Sequence, residues 1–136
     1  MAEDEVSVRI QWEEGQLFSG ATSTGVKFSL EGSRRRAPSP MESLLASLCG
    51  CMAIDVIDIL RKMRGEVRRL EVDATGRRNP QPPRYFNQIH LRFAVETDLP
   101  QERVDRAIQL SFETYCSVYH SLRSDIQVSH ELEVRS

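Results

Sequence analysis

The stretch that decides the fold is residues 38–64, which read PSPMESLLASLCGCMAIDVIDILRKMR. Ser39 followed by Pro40 is a typical helix start, because serine caps free backbone N–H groups and proline fits the first helical position. Gly65, after a basic last turn, is typical of a helix end. The middle is apolar on nearly every face, so we expect a long central helix that is buried on several sides. Gly50 inside it predicts a close approach by another backbone.

Alternating apolar residues predict three strands before this helix and three after it. The predicted strands are residues 5–12, 16–22, 26–30, 67–77, 85–97 and 126–134, and helical spacing predicts a second helix from Pro100 that fades around Cys116–His120. The first strand is expected to be half-buried, with Val6, Val8, Ile10 and Trp12 on one side. Grouped strands with two helices indicate one α+β domain over residues 1–136, with helices packed on largely antiparallel sheets. A helix that is apolar all round is hard to cover in so small a monomer, so we expect a homodimer.

Composition and charge exclude several classes of protein. The chain has 136 residues, 40% of them hydrophobic, and a net charge of −2 that offers no electrostatic case for nucleic-acid binding. The apolar region 44–60 is interrupted by Asp55 and Asp58 and is shorter than a bilayer span of roughly 20 residues. The acidic N-terminus does not have the pattern of a signal peptide. We therefore expect a soluble cytoplasmic protein with neither a membrane nor a nucleic acid as partner.

The three cysteines can be structural or reactive. An odd number of them makes a disulfide framework a poor interpretation. Cys49 and Cys51 form a C-x-C pair whose side chains point about 200° apart on a helix, so no zinc site is expected from them. Cys116 lies at the fading end of the second helix, where a thiol can move. A buried thiol is either a small packing group or a nucleophile, and both interpretations stay open for Cys51 and Cys116.

Two of these motifs resemble a known family. The stretch 38–64 resembles the central helix of the OsmC/Ohr family, the osmotically inducible and organic-hydroperoxide-resistance proteins, and Tyr-Cys-Ser-Val at 115–118 resembles its second cysteine motif. The resemblance covers essentially the whole chain. It implies an intertwined homodimer with active sites at the subunit interface, and a thiol-dependent peroxidase that reduces organic hydroperoxides in stress protection. By position, Cys51 would be the peroxidatic thiol and Cys116 the resolving thiol.

The same resemblance implies the reactants. The substrate would be a small hydrophobic peroxide, the reductant a dithiol or a lipoylated protein, and no metal or organic cofactor would be needed. Cys49 carries no implied role, because this position is usually glycine in the family branch that the chain resembles.

Four further residues are expected to line the site. Met41 stands where the characterised peroxidases have a glutamate that holds an activating arginine, and Glu42 is one residue further on. The candidates for that arginine are Arg9 and the run Arg34–Arg36, which includes Arg36. Asp55 lies one turn after Cys51 on the same helix face, and a carboxylate disfavours a thiolate, so the activating cation should come from another segment or subunit.

Two other functions remain open from the sequence. One is a non-catalytic dimer that binds a small apolar ligand at the same interface. The other is a disulfide-exchange partner of another reductase.

Overall fold

The chain forms two compact units, each with its own three-stranded sheet. The structure, a computed structural model, describes residues 4–136. Contacts divide the chain into residues 1–44 and 45–136, and the sheet orders are β1-β2-β3 and β4-β5-β6. The strands are β1 Val8–Glu14, β2 Leu17–Thr22, β3 Lys27–Glu31, β4 Val67–Arg78, β5 Phe86–Thr97 and β6 Gln127–Arg135. The helices are α1 Pro40–Lys62, α2 Gln101–Leu110, a π-helical turn Ser111–Tyr115 and α3 Ser117–Ser121. The predicted α+β class is confirmed, and the single domain over residues 1–136 stays a prediction.

The first unit is an antiparallel meander. β1 pairs with β2, with Trp12 opposite Phe18, and β2 pairs with β3. The predicted half-burial of β1 is wrong for the single chain, since all seven of its residues are exposed and Trp12 is 62% exposed. Alternation shows that one side of a strand is apolar, but it does not show what covers that side. In residues 4–136, the apolar side of β1 is left largely open, since Val8, Ile10 and Trp12 are each at least half exposed.

The start of α1 is a capping box, as Ser39 and Pro40 predict. The Ser39 hydroxyl accepts a hydrogen bond from the Glu42 backbone N–H at 3.1 Å, and the Glu42 carboxylate accepts one from the Ser39 N–H at 3.0 Å. These two bonds satisfy backbone donors that have no partner inside the helix. Arg34 adds an ion pair to the same carboxylate at 3.1 Å. The side chain of Glu42 is therefore engaged in fixing the helix start.

The second unit contains one antiparallel and one parallel strand pair. β4 pairs antiparallel with β5, whereas β6 pairs parallel with β5. The parallel pair was not expected from the sequence. It arises because the helical segment between β5 and β6 carries the chain back to the end of the sheet from which β5 started. The core residues of β5 are Phe86, Ile89, Leu91, Phe93 and Val95, and those of α2 are Val104, Ala107 and Ile108.

α1 buries only one stripe of its surface. The buried residues are Leu48, Met52, Val56 and Leu60, spaced four apart. Ile54, in the middle of the same helix, is 62% exposed. At Gly50, an added Cβ would meet no atom of residues 4–136 within 4 Å apart from its chain neighbours and the adjacent backbone of α1 itself. The predictions of burial on several sides and of a close backbone approach at Gly50 are therefore wrong within one chain.

The length of α1 corrects a second expectation. The helix has 23 residues and is long and apolar enough, by length and composition alone, to cross a membrane. The expectation from residues 44–60 was a segment too short to do so, because it counted only the apolar run and not the flanking helical turns. The core helix of a soluble protein can have the same length and composition, and Asp55 and Asp58 interrupt this one. The expectation that the protein has no membrane partner stays a prediction.

Candidate functional site

α1 places Cys51 and Asp55 on one side of the helix. Residues four apart are about 40° apart around an α-helix, so their side chains lie one above the other. Both side chains are half-buried. The helix therefore presents a thiol and a carboxylate together, as the sequence predicts.

A π-helical turn places Cys116. The Cys116 backbone N–H donates a hydrogen bond at 2.8 Å to the carbonyl oxygen of Ser111, five residues earlier. Cys116 then leaves the helical conformation, with φ −75° and ψ 99°, and caps α3 through its sulfur, which accepts a hydrogen bond from the Tyr119 N–H at 3.4 Å. The side chain is completely buried. The expected frayed helix end is thus wrong: Cys116 sits in a hydrogen-bonded break between two helical segments, and π turns are frequent at functional sites.

The two thiols meet, although they are 65 positions apart in the chain. The Cys51 sulfur, the Cys116 sulfur and a carboxylate oxygen of Asp55 all lie within 4.8 Å of one another. The structure thus brings Cys51, Cys116 and Asp55 together, and their roles in a reaction stay predictions. We call these three residues the thiol cluster.

Ser111 supports the thiol cluster and is not among the residues predicted from the sequence. Its buried hydroxyl donates a hydrogen bond to the Asp55 carboxylate (Oδ2) at 2.8 Å. The signal that could have found it is helical spacing, because Ser111 follows Val104, Ala107 and Ile108 on the apolar face. A polar residue on such a face needs a buried partner, and Asp55 supplies it.

The electrostatics of the thiol cluster keep Cys116 neutral. Burial raises the pKa of the Cys116 thiol, and the adjacent Cys51 and Asp55 raise it as well, whereas the Tyr119 N–H opposes them. Together these effects bring the pKa of Cys116 to about 11. None of these neighbouring groups is a cation. At neutral pH, Cys116 is therefore present almost entirely as the protonated thiol.

Cys49 lies outside the thiol cluster. Burial raises the pKa of its thiol, and the charge of Asp73 raises it further. The position of Cys49 two residues before Cys51 turns its side chain to another side of the helix. The chain thus contains a matched control cysteine on the same helix as Cys51.

The other three predicted site residues belong to the first unit. Arg36 donates two hydrogen bonds to one oxygen (Oε2) of Glu31, at 3.1 Å from Nε and 2.9 Å from Nη2, and contacts Glu14 at 3.5 Å. Glu42 caps α1, and Met41 is half-buried in the first turn of that helix. That these side chains line the thiol site stays a prediction.

The ion pair between Arg36 and buried Glu31 predicts how the free energy of unfolding depends on pH. Backbone hydrogen bonds from Arg36 and Arg35, with the Arg36 guanidinium, lower the pKa of Glu31 from 4.5 to about 2. A lowered carboxyl pKa stabilises the fold above pH 4.5, and this stability is lost as the pH falls towards about 2. Glu31→Gln should therefore lower the free energy of unfolding at pH 7, and the difference from the native protein should shrink by pH 3.

Urea unfolding of both proteins at the two pH values checks this prediction. The exposed Glu5→Gln variant is the control and should change the stability little at either pH. A difference between Glu31→Gln and the native protein that grows as the pH falls would contradict the role assigned to Glu31.

The family of the chain follows from comparison with known proteins. The model of the family described as OsmC-like protein matches residues 31–131, which include α1 and the whole thiol cluster. The chain belongs to the OsmC family. The resemblance found in the two cysteine motifs is therefore confirmed.

Among its relatives, this OsmC protein is 41% identical to Protein YhfA of Escherichia coli over 131 residues, which cover 95% of the chain and 98% of YhfA. The OsmC-like protein of Mycoplasma pneumoniae has the same fold, with a TM-score of 0.86 at 12% identity over 99% of the chain and 100% of that structure. The structure of the organic hydroperoxide resistance protein OhrB of Bacillus subtilis superposes less closely, with a TM-score of 0.66 at 17% identity over 97% of this chain and 100% of that structure. The last two likenesses show the fold alone.

Proposed function

We propose that this OsmC protein is a thiol-dependent peroxidase that reduces organic hydroperoxides in the protection of the cell against oxidative or osmotic stress. One observation carries the proposal: the Cys51 and Cys116 sulfurs lie within 4.8 Å of each other, although they come from distant parts of the chain. The bonded sulfurs of a disulfide are about 2.05 Å apart. Local movement of at most about 2.8 Å would therefore join them.

The surroundings of the two thiols support different roles for them. Cys51 is half-buried in the middle of α1, so a peroxide can reach it. Cys116 is completely buried, and its raised pKa keeps it protonated at neutral pH. An accessible sulfur suits the first attack on the peroxide. A buried thiol beside it is kept from the peroxide and suits the second step, in which it gives up its proton and bonds to an oxidised Cys51.

The proposed reaction has three balanced steps. The Cys51 thiolate attacks a peroxide oxygen, the O–O bond breaks, and the products are Cys51 sulfenic acid and an alcohol after the leaving alkoxide takes up a proton. The Cys116 thiol then displaces water from the sulfenic acid and forms the Cys51–Cys116 disulfide. An external dithiol, free or on a lipoylated protein, reduces this disulfide by thiol exchange and is itself oxidised.

We further propose that two copies of the chain form a homodimer in the cytoplasm. In the first unit, the apolar side of β1 is exposed, with Val8 at 68% and Trp12 at 62%. In the second unit, Ile54 is exposed in the centre of α1. Exposed apolar surface of this kind is typical of an interface between protein chains. A second copy would cover the faces of α1 that one chain leaves open.

One observation favours a second candidate function, the binding of a small apolar ligand without catalysis. The first unit has a cavity of about 260 Å³ with almost wholly apolar walls, lined by Ile10, Gln16, Phe18, Leu30, Glu31, Gly32 and Pro40. Pockets of this character hold small apolar molecules. A binding protein of this kind would leave its thiols unchanged when it meets a peroxide.

The two functions are separated by a turnover assay on the native protein. Cumene hydroperoxide, hydrogen peroxide and a dihydrolipoyl reductant are supplied, and peroxide loss is measured. The proposed peroxidase consumes cumene hydroperoxide over many cycles, and does so faster than hydrogen peroxide because an apolar site favours the alkyl substrate. Loss of peroxide no faster than in the absence of protein would overturn the proposed activity and leave ligand binding as the better account.

A further inference from the structure

The thiol cluster has the composition of a metal site. Thiolate sulfurs and a carboxylate oxygen are ordinary ligands of Zn²⁺, and the ligand atoms of Cys51, Asp55 and Cys116 lie within 4.8 Å of one another. Cys51 and Asp55 are four residues apart on α1, so one rigid helix face presents both. Cys116 supplies the third ligand from a different segment. The sequence provides no reason to expect zinc binding by Cys49 and Cys51 together. The present site uses Cys51 without Cys49, which lies outside the thiol cluster.

The distances suit a tetrahedral ion. With Zn–S bonds of about 2.3 Å, two sulfurs on one tetrahedral zinc are about 3.8 Å apart. The ligand atoms of the thiol cluster are within 4.8 Å, so closing around an ion requires movements of at most about 1 Å. This is less movement than the same two sulfurs need to form a disulfide.

The surroundings of two ligands resemble the outer shell of a metal site. Ser111 donates a hydrogen bond to one Asp55 oxygen (Oδ2) at 2.8 Å, which orients the carboxylate. The Tyr119 N–H points at the Cys116 sulfur at 3.4 Å, where it would stabilise a negative thiolate. Outer-shell hydrogen bonds of this kind hold metal ligands in place and tune their basicity.

Charge balance favours a cation at this place. The groups that act on the Cys116 thiol are Cys51, Asp55 and the Tyr119 N–H, and none carries a positive charge. Two thiolates and one carboxylate would bring three negative charges together. A divalent cation offsets most of that charge, and the site is half-open on the Cys51 side for its entry.

We propose that Cys51, Asp55 and Cys116 bind one Zn²⁺ ion per chain in the reduced protein. Three protein ligands leave the fourth position of the ion to water or another small ligand, as in zinc sites that are not purely structural. Both thiols bind as thiolates, so their protons pass to the solvent on binding. The ion occupies the same sulfurs that the disulfide would join, so bound Zn²⁺ and the Cys51–Cys116 bond exclude each other.

Cobalt substitution tests the site without any peroxide. The native full-length protein, reduced and freed of metal, is titrated with Co²⁺ alone, and Zn²⁺ is then added in competition. We expect one Co²⁺ per chain, a sulfur-to-cobalt charge-transfer band, d–d bands of the intensity typical of four-coordination, and displacement by one equivalent of Zn²⁺. Absence of the charge-transfer band, or a stoichiometry that does not reach one, would overturn the proposal.

Variants assign the ligands. Ser111→Ala should weaken metal binding by about 10–100-fold, the usual effect of losing an outer-shell partner. Cys51→Ser and Cys116→Ser should each weaken it by more than that and remove one sulfur's share of the charge-transfer intensity. Cys49→Ser is the matched control and should bind as the native protein does. If Cys116→Ser, at a buried position, does not fold by circular dichroism, Cys51→Ser provides the same test at a half-exposed one.

Two results would contradict the assignment. These are unchanged affinity in Cys51→Ser, and loss of the metal in Cys49→Ser. The proposal does not depend on peroxidase activity. A protein that binds Co²⁺ through these sulfurs and fails in the turnover assay would refute the proposed function alone, and the reverse result would refute the metal site alone.

Discussion

Cys51→Ser is expected to reduce organic hydroperoxide turnover by at least about 1000-fold, to the level of the uncatalysed reaction. A serine hydroxyl at this place is neither ionised nor soft enough to attack a peroxide oxygen at neutral pH. The rest of the thiol cluster cannot compensate, because Cys116 is completely buried and its pKa is raised to about 11. The measurement is steady-state loss of cumene hydroperoxide with a dihydrolipoyl reductant in excess.

The Cys116→Ser variant should fail differently. Without added reductant, its Cys51 can still be oxidised once, so we expect one equivalent of peroxide to be consumed per chain and a sulfenic acid that a dimedone probe labels. In the native protein the sulfenic acid should be short-lived, and its decay should accelerate with rising pH below about 11, as more of Cys116 becomes thiolate.

The control for both variants is Cys49→Ser. It removes a thiol from the same helix but from outside the thiol cluster, so it should keep the native turnover. Native turnover in Cys51→Ser would refute the assignment of the nucleophile. An equal loss of turnover in Cys49→Ser would show that the loss is not specific to the thiol cluster, and would contradict the assignment of Cys51.

A charge at Ile54 is expected to break the proposed dimer. Ile54 is apolar and 62% exposed in the middle of α1. In Ile54→Glu, a symmetric interface would bury two unpaired carboxylates, each at a cost of several kcal/mol. At 1.4 kcal/mol per tenfold change, the Kd of the dimer should rise by more than about 1000-fold. Sedimentation equilibrium should change from twice the 15.6 kDa mass of one chain to that mass itself.

Ile54→Leu is the matched control, since it keeps the apolar surface and nearly the same volume. It should sediment as the native protein does. A native protein with the mass of one chain would refute the dimer directly. An Ile54→Glu variant that still has twice that mass, at concentrations where the native protein is dimeric, would contradict the placement of Ile54 in the interface.

Strand periodicity in the second unit is predicted well from the sequence. The alternation of Ile89, Leu91, Phe93 and Val95 is matched by their burial in β5. This strand has partners on both sides in its sheet, and its apolar residues all find cover within the same chain. Where the cover lies in the chain itself, hydrophobic pattern and burial agree.

The same kind of pattern fails for β1 and α1, for one physical reason. Trp12 and Ile54 are placed on apolar faces by their spacing, yet both are exposed in the single chain. Periodicity reports how a segment distributes its apolar groups. It carries no information about whether the surface that covers them belongs to the same molecule.

The thiol cluster is predicted only in part from the sequence. Helix geometry predicts that Cys51 and Asp55 lie on one face of α1. The resemblance to the family motif predicts that Cys116 is the partner of Cys51. The π turn that brings Cys116 to them depends on a hydrogen bond to the Ser111 carbonyl, five residues back, and such turns have no periodic signature. The parallel pairing of β6 was likewise missed, because strand patterns do not record direction.

Peptide mass mapping shows whether Cys51 and Cys116 act as one redox pair. The reduced native protein is treated with one equivalent of cumene hydroperoxide per chain, its remaining thiols are blocked, and it is digested without reductant. We expect that Cys49 alone is blocked and that the Cys51 and Cys116 peptides are joined within one chain. A disulfide that contains Cys49, or Cys51 oxidised while Cys116 remains a free thiol, would contradict it.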